Sequence, residues 1–424
     1  MNSRMLTLSA AIVAALTATA VPEVTNVTMS QDIGRLVTVT YHLAGAPAIV
    51  TMDVVTNGVS IGDENVYRLS PPSGAVSKLI AEDGDYTITW KADRAWPDHK
   101  ITDKSAQVVV TAWDPAVPPD YMVVDLLVNS NVTYYTSAKA LPGGLLDVDD
   151  YRTTKMVMRR IHAADVEWTM GSVAADGRQN NETAHRVCMA DDYYMAVFPI
   201  TQGQYCSALS VQRGSTFGFS NEGYWQKRIG DGLHYSGVRG AKYPAEPADG
   251  TLIKTIRNKA GVCVDLPGEA QWEFACRAGH DDTCWGDGTP LAGTSNAANA
   301  DTLPGRFAGN NVDFASGEQS TVDDKSGTPI AGSYNGNSWG IYDMHGGVEE
   351  FCLDVYQADI TANSTGAVVT GEGTTVVTRG GAWYRSWSWA RAAYRASSGW
   401  NDGGSFGWGG IRGIRLAASI PAER

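Results

Sequence analysis

"TPIAGSYNGNSWGIYDMHGGVEEFCLD", residues 328–354, follows neither a helical nor a strand period over its length. It is typical of the chain from Tyr151 onward, where glycine, tryptophan and asparagine increase and regular periodicity becomes sparse. Glycine-rich loops held by so few elements usually need metal ions or disulfides to order them. One amphipathic helix stands out upstream, in "LPGEAQWEFACRAG", residues 266–279. Pro267 can open it, Glu269 suits its positive end and Gly279 can close it. Trp272, Phe274, Ala275 and Cys276 supply its packed side. A second short helix is expected over "TQGQYCSAL", residues 201–209.

From Val21 to about Pro118 the pattern is β throughout. "RLVTVTYHL", "AIVTMDVV", "AVSKLI", "DYTITWK" and "QVVVTAW" are short β-branched or alternating runs separated by turns such as "AGAP" and "EDGD". Residues 21–117 therefore read as an all-β sandwich of immunoglobulin or fibronectin III character, with Trp90 and Trp113 in its core. His42 and His99 are too isolated for a metal site. The three prolines of "WDPAVPPD", residues 113–120, bar helix and mark a boundary. Residues 118–150 form a linker whose strand, "YMVVDLLV", docks on the C-terminal half of the chain.

The first 20 residues read as a signal peptide, with Arg4, an apolar stretch and the exit Ala18-Thr19-Ala20. No later stretch reaches the ~18 apolar residues of a membrane span. The expected location is secreted, periplasmic or on the cell surface. A net charge of -13 argues against a nucleic-acid partner. The six cysteines (Cys188, Cys206, Cys263, Cys276, Cys284 and Cys352) permit up to three disulfides, and free buried thiols suit Cys276 and Cys352 equally well.

The motifs "WTMGS" (168–172), "NETAHRV" (181–187), "YYMAVFPITQGQY" (193–205), "DLPGEAQWEFACRAG" (265–279), "CWGDG" (284–288), the glycine-rich stretch 328–354, "RGGAWY" (379–384) and "GIRLA" (413–417) occur in order. Together they resemble the formylglycine-generating enzyme family, the sulfatase-modifying-factor domain, over residues 151–418. The resemblance implies an α+β fold of the C-type-lectin type with little regular secondary structure. It also implies structural calcium, on Asp343, Glu350 and the carbonyls of Gly346 and Val348. Oxygen ligands on an irregular loop suit that ion. Gly347 and Glu349 depart from the family's usual asparagine and tryptophan. A second calcium set would use Asn299, the Ala300 carbonyl and Asp323 or Asp324.

The family's enzymes oxidise a sulfatase cysteine with copper held by two active-site cysteines. Here those positions carry Arg385 and Ala390, and neither side chain can replace a soft thiolate. No copper is expected, and the formylglycine-generating oxidoreductase is the disfavoured alternative to a non-catalytic binding protein. His162, His185, His234, His280 and His345 are scattered without metal-ligand spacing and read as loop hydrogen-bonders.

Aromatic anchors among small polar residues compose a binding surface. Tyr384, Arg385, Trp387, Trp389, Trp400 and Trp408 are expected to form one for a protein or glycan ligand, whereas Trp383 and Tyr394 belong to the core. Residues 383–408 also occupy the place that retroelement-diversified proteins of this fold vary.

Overall fold

The computed structural model describes residues 21–101, 105–172, 178–212, 224–280, 305–308, 327–402, 405–406 and 409–420. The signal peptide read over residues 1–20 lies outside them, as do Cys284, Asn299, Ala300, Asp323, Asp324 and Trp408.

The first part is built from β1 (Glu23–Gln31), β2 (Leu36–Ala44), β3 (Ala48–Thr56), β4 (Val59–Ser60), β5 (Ser73–Gly74), β6 (Lys78–Ile80), β7 (Gly84–Lys91) and β8 (Ala106–Trp113). One antiparallel sheet runs β1-β2-β7-β5, and a second runs β4-β3-β6 with β8 also paired to β3. Alternation decides the faces. Val37, Val39, Tyr41 and Leu43 of β2 are buried, and they share a core with Val50, Met52 and Val54 of β3. Trp90 is buried there and its indole N–H donates to the Val66 carbonyl at 3.0 Å. Trp113 does not plug this core. It lies at the end of β8, half-buried, and donates to Thr51 Oγ1 at 2.8 Å.

The later strands are β9 (Tyr121–Asp125), β10 (Val132–Tyr135), β11 (Lys155–Ile161), β12 (Glu167–Met170), β13 (His185–Cys188), β14 (Tyr193–Ala196), β15 (Val264–Asp265), β16 (Glu349–Val355), β17 (Thr375–Arg379), β18 (Ala396–Gly399), β19 (Ser405–Phe406), β20 (Gly409–Gly410), β21 (Arg412–Gly413) and β22 (Ala417–Ser419). A six-stranded sheet has the order β10-β9-β11-β14-β22-β15, in which β9 pairs with β11. A four-stranded sheet has the order β18-β17-β16-β21, in which β16 and β21 run parallel.

The segment between the two parts holds both. Thr136 and Ser137 donate to Asp63 Oδ2, at 2.9 and 2.5 Å, and the Gly143 N–H donates to the Arg68 carbonyl at 2.7 Å. One apolar cluster runs through Tyr67, Trp90, Tyr135, Tyr121 and Val157 as far as Trp272.

Besides the single turn α1 (Ala92–Ala95), the described α-helices are α2 (Gln202–Leu209), α3 (Tyr235–Val238), α4 (Leu252–Ala260) and α5 (Glu269–Arg277). Thr201 and Gln204 form a reciprocal capping box at the start of α2. In α5 the amphipathic reading needs correction, because Glu269, Glu273 and Arg277 are buried along with Trp272 and Cys276. Cys188, Cys263, Cys276 and Cys352 carry free thiols.

Candidate binding site around Arg385

The site begins where β17 ends. Gly380 and Gly381 follow Arg379 with φ of 90° and 67°, a left-handed region that favours glycine. A Cβ on Gly381 would lie 2.8 Å from the Trp389 backbone, so only glycine lets the chain pass beneath the turn at 387–389. That turn starts at Ser386, and Trp383 behind it is buried, donating to the Gly410 carbonyl at 3.1 Å.

Arg385 lies across this turn. Its guanidinium carbon is 4.2 Å from the centre of the Trp389 ring, and its Nε is 3.3 Å from Glu349 Oε1. Trp389 in turn packs against Tyr394 at 4.9 Å. Glu349 is buried on β16 and also faces Arg412 at 3.4 Å. Arg412 reaches Asp402 at 2.7 Å. One buried carboxylate is therefore shared by two guanidinium groups.

Ala390 is buried against Phe307 and Trp387. Its carbonyl accepts from His345 Nδ1 at 2.7 Å, and His345 Nε2 is 3.6 Å from Cys276 Sγ. His345 is thus a loop hydrogen-bonder, as expected, and it is buried. Burial pushes the Cys276 thiol far above its usual value, so it stays protonated and is a poor ligand or nucleophile. Arg385 and Ala390 offer no thiolate, and copper does not fit here.

Behind the turn lies a buried ionic lattice. Arg379 bonds Glu269 at 2.9 Å and Glu273 at 2.6 Å, and Arg395 bonds Glu269 at 2.6 Å. Arg391 forms a two-pronged pair with Glu182 at 2.7 and 2.8 Å. Burial pushes the Glu273 carboxyl up, but Arg277 and Arg379 outweigh it and hold the group below the usual carboxylate range. Beside this lattice, burial and the neighbouring Glu269 push Asp354 up to about 7.

In the first calcium set, Glu350 and the Gly346 carbonyl have partners within the protein. Both Glu350 oxygens lie 3.0 Å from Arg415, and one also accepts from the Trp272 indole at 2.6 Å. The Gly346 carbonyl accepts from the Val348 N–H. Asp343 is the exception. One oxygen accepts from the Gly332 N–H at 2.7 Å, while the buried Oδ1 has no partner among the described residues. Burial pushes this carboxyl up to about 6. Among the described residues no group of three or more His, Cys, Asp or Glu side chains is placed to hold a metal.

The expected recognition residues are drawn together only in part. Tyr384, Arg385, Trp387 and Trp389 lie along one turn, each half-buried and none fully exposed. Trp400 sits apart, packed against the second apolar cluster, where its carbonyl accepts from the Ser236 N–H. Trp383 and Tyr394 are core residues as expected. Sequence reasoning missed Glu349 and Arg412. The unusual acid before Glu350 was the available signal, but its partners, Arg385 and Arg412, come from segments further along the chain.

Among the described residues no helix is long and apolar enough to cross a membrane. The chain is similar in structure to PvdO from Pseudomonas aeruginosa, at 21% identity and a TM-score of 0.47, over 62% of this chain and 94% of that one. It is also similar to variable protein 1 of Treponema denticola, at 19% identity and a TM-score of 0.45, over 63% and 96% of the two chains. No curated protein matches it. The Sulfatase-modifying factor enzyme 1-like domain, FGE-sulfatase, matches residues 153–418, and the chain belongs to this formylglycine-generating-enzyme-like, lectin-fold family.

Proposed function

We propose that the chain is an exported, non-catalytic binding protein. Its family domain serves as a lectin-like scaffold, and its first part is an immunoglobulin- or fibronectin-like spacer. The segment around Arg385, reaching toward Trp408, is the recognition surface for a protein or glycan, and retroelement diversification of residues 383–408 belongs to this reading. Calcium ordering of the domain belongs to it too, with Asp343 Oδ1 as the oxygen on offer.

The observation that carries the reading is the identity of residues 385 and 390. A copper-dependent cysteine oxidation needs two soft donors. Here one position is a guanidinium held by Glu349 and Trp389, and the other is a buried methyl group. Copper-loaded protein incubated with a cysteine-containing sulfatase peptide should leave the peptide mass unchanged. Formation of an aldehyde that depends on this protein would overturn the reading.

A further inference from the structure

We propose that Arg385 anchors an acidic polypeptide, taking a carboxylate side chain of a partner protein on its two terminal nitrogens. The proposal rests on the binding-protein reading and names the partner's chemistry. Of the other arginines of this region, Arg379, Arg391, Arg395 and Arg415 have both terminal nitrogens occupied, and Arg412 gives one of its own to Asp402. Arg391 gives both to Glu182, and Arg395 gives one to Glu269 and the other to the Asn181 and Gln357 carbonyls. Arg379 and Arg415 are filled in the same way by carbonyls and carboxylates.

Arg385 differs from all of these. It bonds only through Nε, and among the described residues neither terminal nitrogen has a partner. The side chain is 27% exposed, yet it is held at both ends of its plane, by Glu349 at Nε and by Trp389 under the ring-like guanidinium. A fork fixed in this way loses little freedom when it takes a carboxylate through two parallel hydrogen bonds.

The local charges balance, but only one of the acids is buried. Glu349 is shared with Arg412, so one buried carboxylate faces two cations, and the only other acid in contact among the described residues, Asp402, is 58% exposed. The aromatics favour a protein partner over a saccharide. Trp389 is in contact with Arg385 and Tyr394, Trp387 packs on Phe307 and Ala390, and Tyr384 stands edge-on to Trp383 at 5.6 Å. Their rings are engaged in supporting the turn, and the terminal fork beside Ser386 is what remains for a ligand. With a net charge of -13, the chain repels acidic ligands elsewhere, so capture must be local.

The test uses the full chain and a labelled oligoglutamate peptide, with oligoglutamine and polygalacturonate as the other probes. Oligoglutamate should bind and oligoglutamine should not. Arg385→Gln should weaken binding by about tenfold or more, as expected for loss of a charge-assisted pair. Arg385→Lys keeps the charge without the fork and should weaken binding several-fold, and it carries the comparison if the glutamine variant unfolds. Several results overturn the proposal: no oligoglutamate binding, equal binding by the native chain and the variants, or Arg385-dependent capture of polygalacturonate alone. Failure of peptide binding without aldehyde formation in the copper assay removes this inference and leaves the reading beneath it standing.

Discussion

Buried arginine and glutamate side chains distinguish the interior of the family domain from an ordinary apolar core. Glu269, Glu273, Arg379 and Arg395 are each nearly inaccessible and hold one another. Such charges are tolerable only when their partners are complete. Asp354 borders this lattice and is the group it least suits. Both its oxygens accept backbone N–H groups, from Glu269 at 2.6 Å and Val369 at 2.8 Å, yet burial and the charge of Glu269 raise it from 3.8 to about 7. A carboxyl whose folded value lies above its unfolded one favours the fold when protonated. Its contribution is complete below about pH 4 and is lost as pH rises toward about 7. Asp354→Asn cannot ionise, so its stability relative to the native chain should climb across that interval and level off above it. Urea unfolding through the range measures this, and a constant difference would show that Asp354 does not titrate there. None of this was legible in the sequence. Glu269 and Glu273 sit one helical turn apart, and besides Arg277 on the same helix their partners are Arg379 at the end of β17 and Arg395 just before β18, more than a hundred residues later.

The secondary-structure elements were legible to different degrees. Strands β2, β3, β7 and β8 follow directly from alternation and α5 from its opening and closing residues, while α2 was expected over 201–209. Helix α4 was missed, although Thr251 caps it, Leu252, Ile253 and Ile256 are buried, and Gly261 closes it at φ 68°. Its lysines and arginine obscured the apolar stripe. The turn at 387–389 was read as an exposed aromatic platform, but its rings are half-buried because Gly380 and Gly381 let them fold back on Ala390 and Tyr394. A prediction belongs to this element. Trp387→Ala and Trp389→Ala should each cost roughly 1–2 kcal/mol, against ~3–5 kcal/mol for Trp383→Ala at full burial. Denaturant titration of the three variants checks it. Equal losses at all three would make the turn part of the core and remove the recognition surface.

At the scale of the whole molecule, the resemblance foresaw the family and a domain with few helices, while the join between the parts lay beyond it. The hydroxyls of Thr136 and Ser137 on Asp63 depend on residues seventy positions apart. Ligand linkage is also a property of the whole fold. If calcium binds through Asp343, an ion at 100 times its dissociation constant adds ~2.7 kcal/mol, and chelation should lower the melting temperature by several degrees. Asp343→Asn should abolish that response. An unchanged melting temperature on chelation would remove calcium from the account.

The position of β22 has a consequence for synthesis. Ala417–Ser419 lies inside the six-stranded sheet, between β14 and β15, although it is the final strand described. The six-stranded sheet therefore has a gap until residues 417–419 have left the ribosome. The two sheets of the first part, whose pairings lie within residues 23–113, can close long before. A nascent chain should carry one finished module ahead of an open one, and non-local closure of this kind is slow. Truncation before residue 417 should leave that sheet open, however short the missing piece.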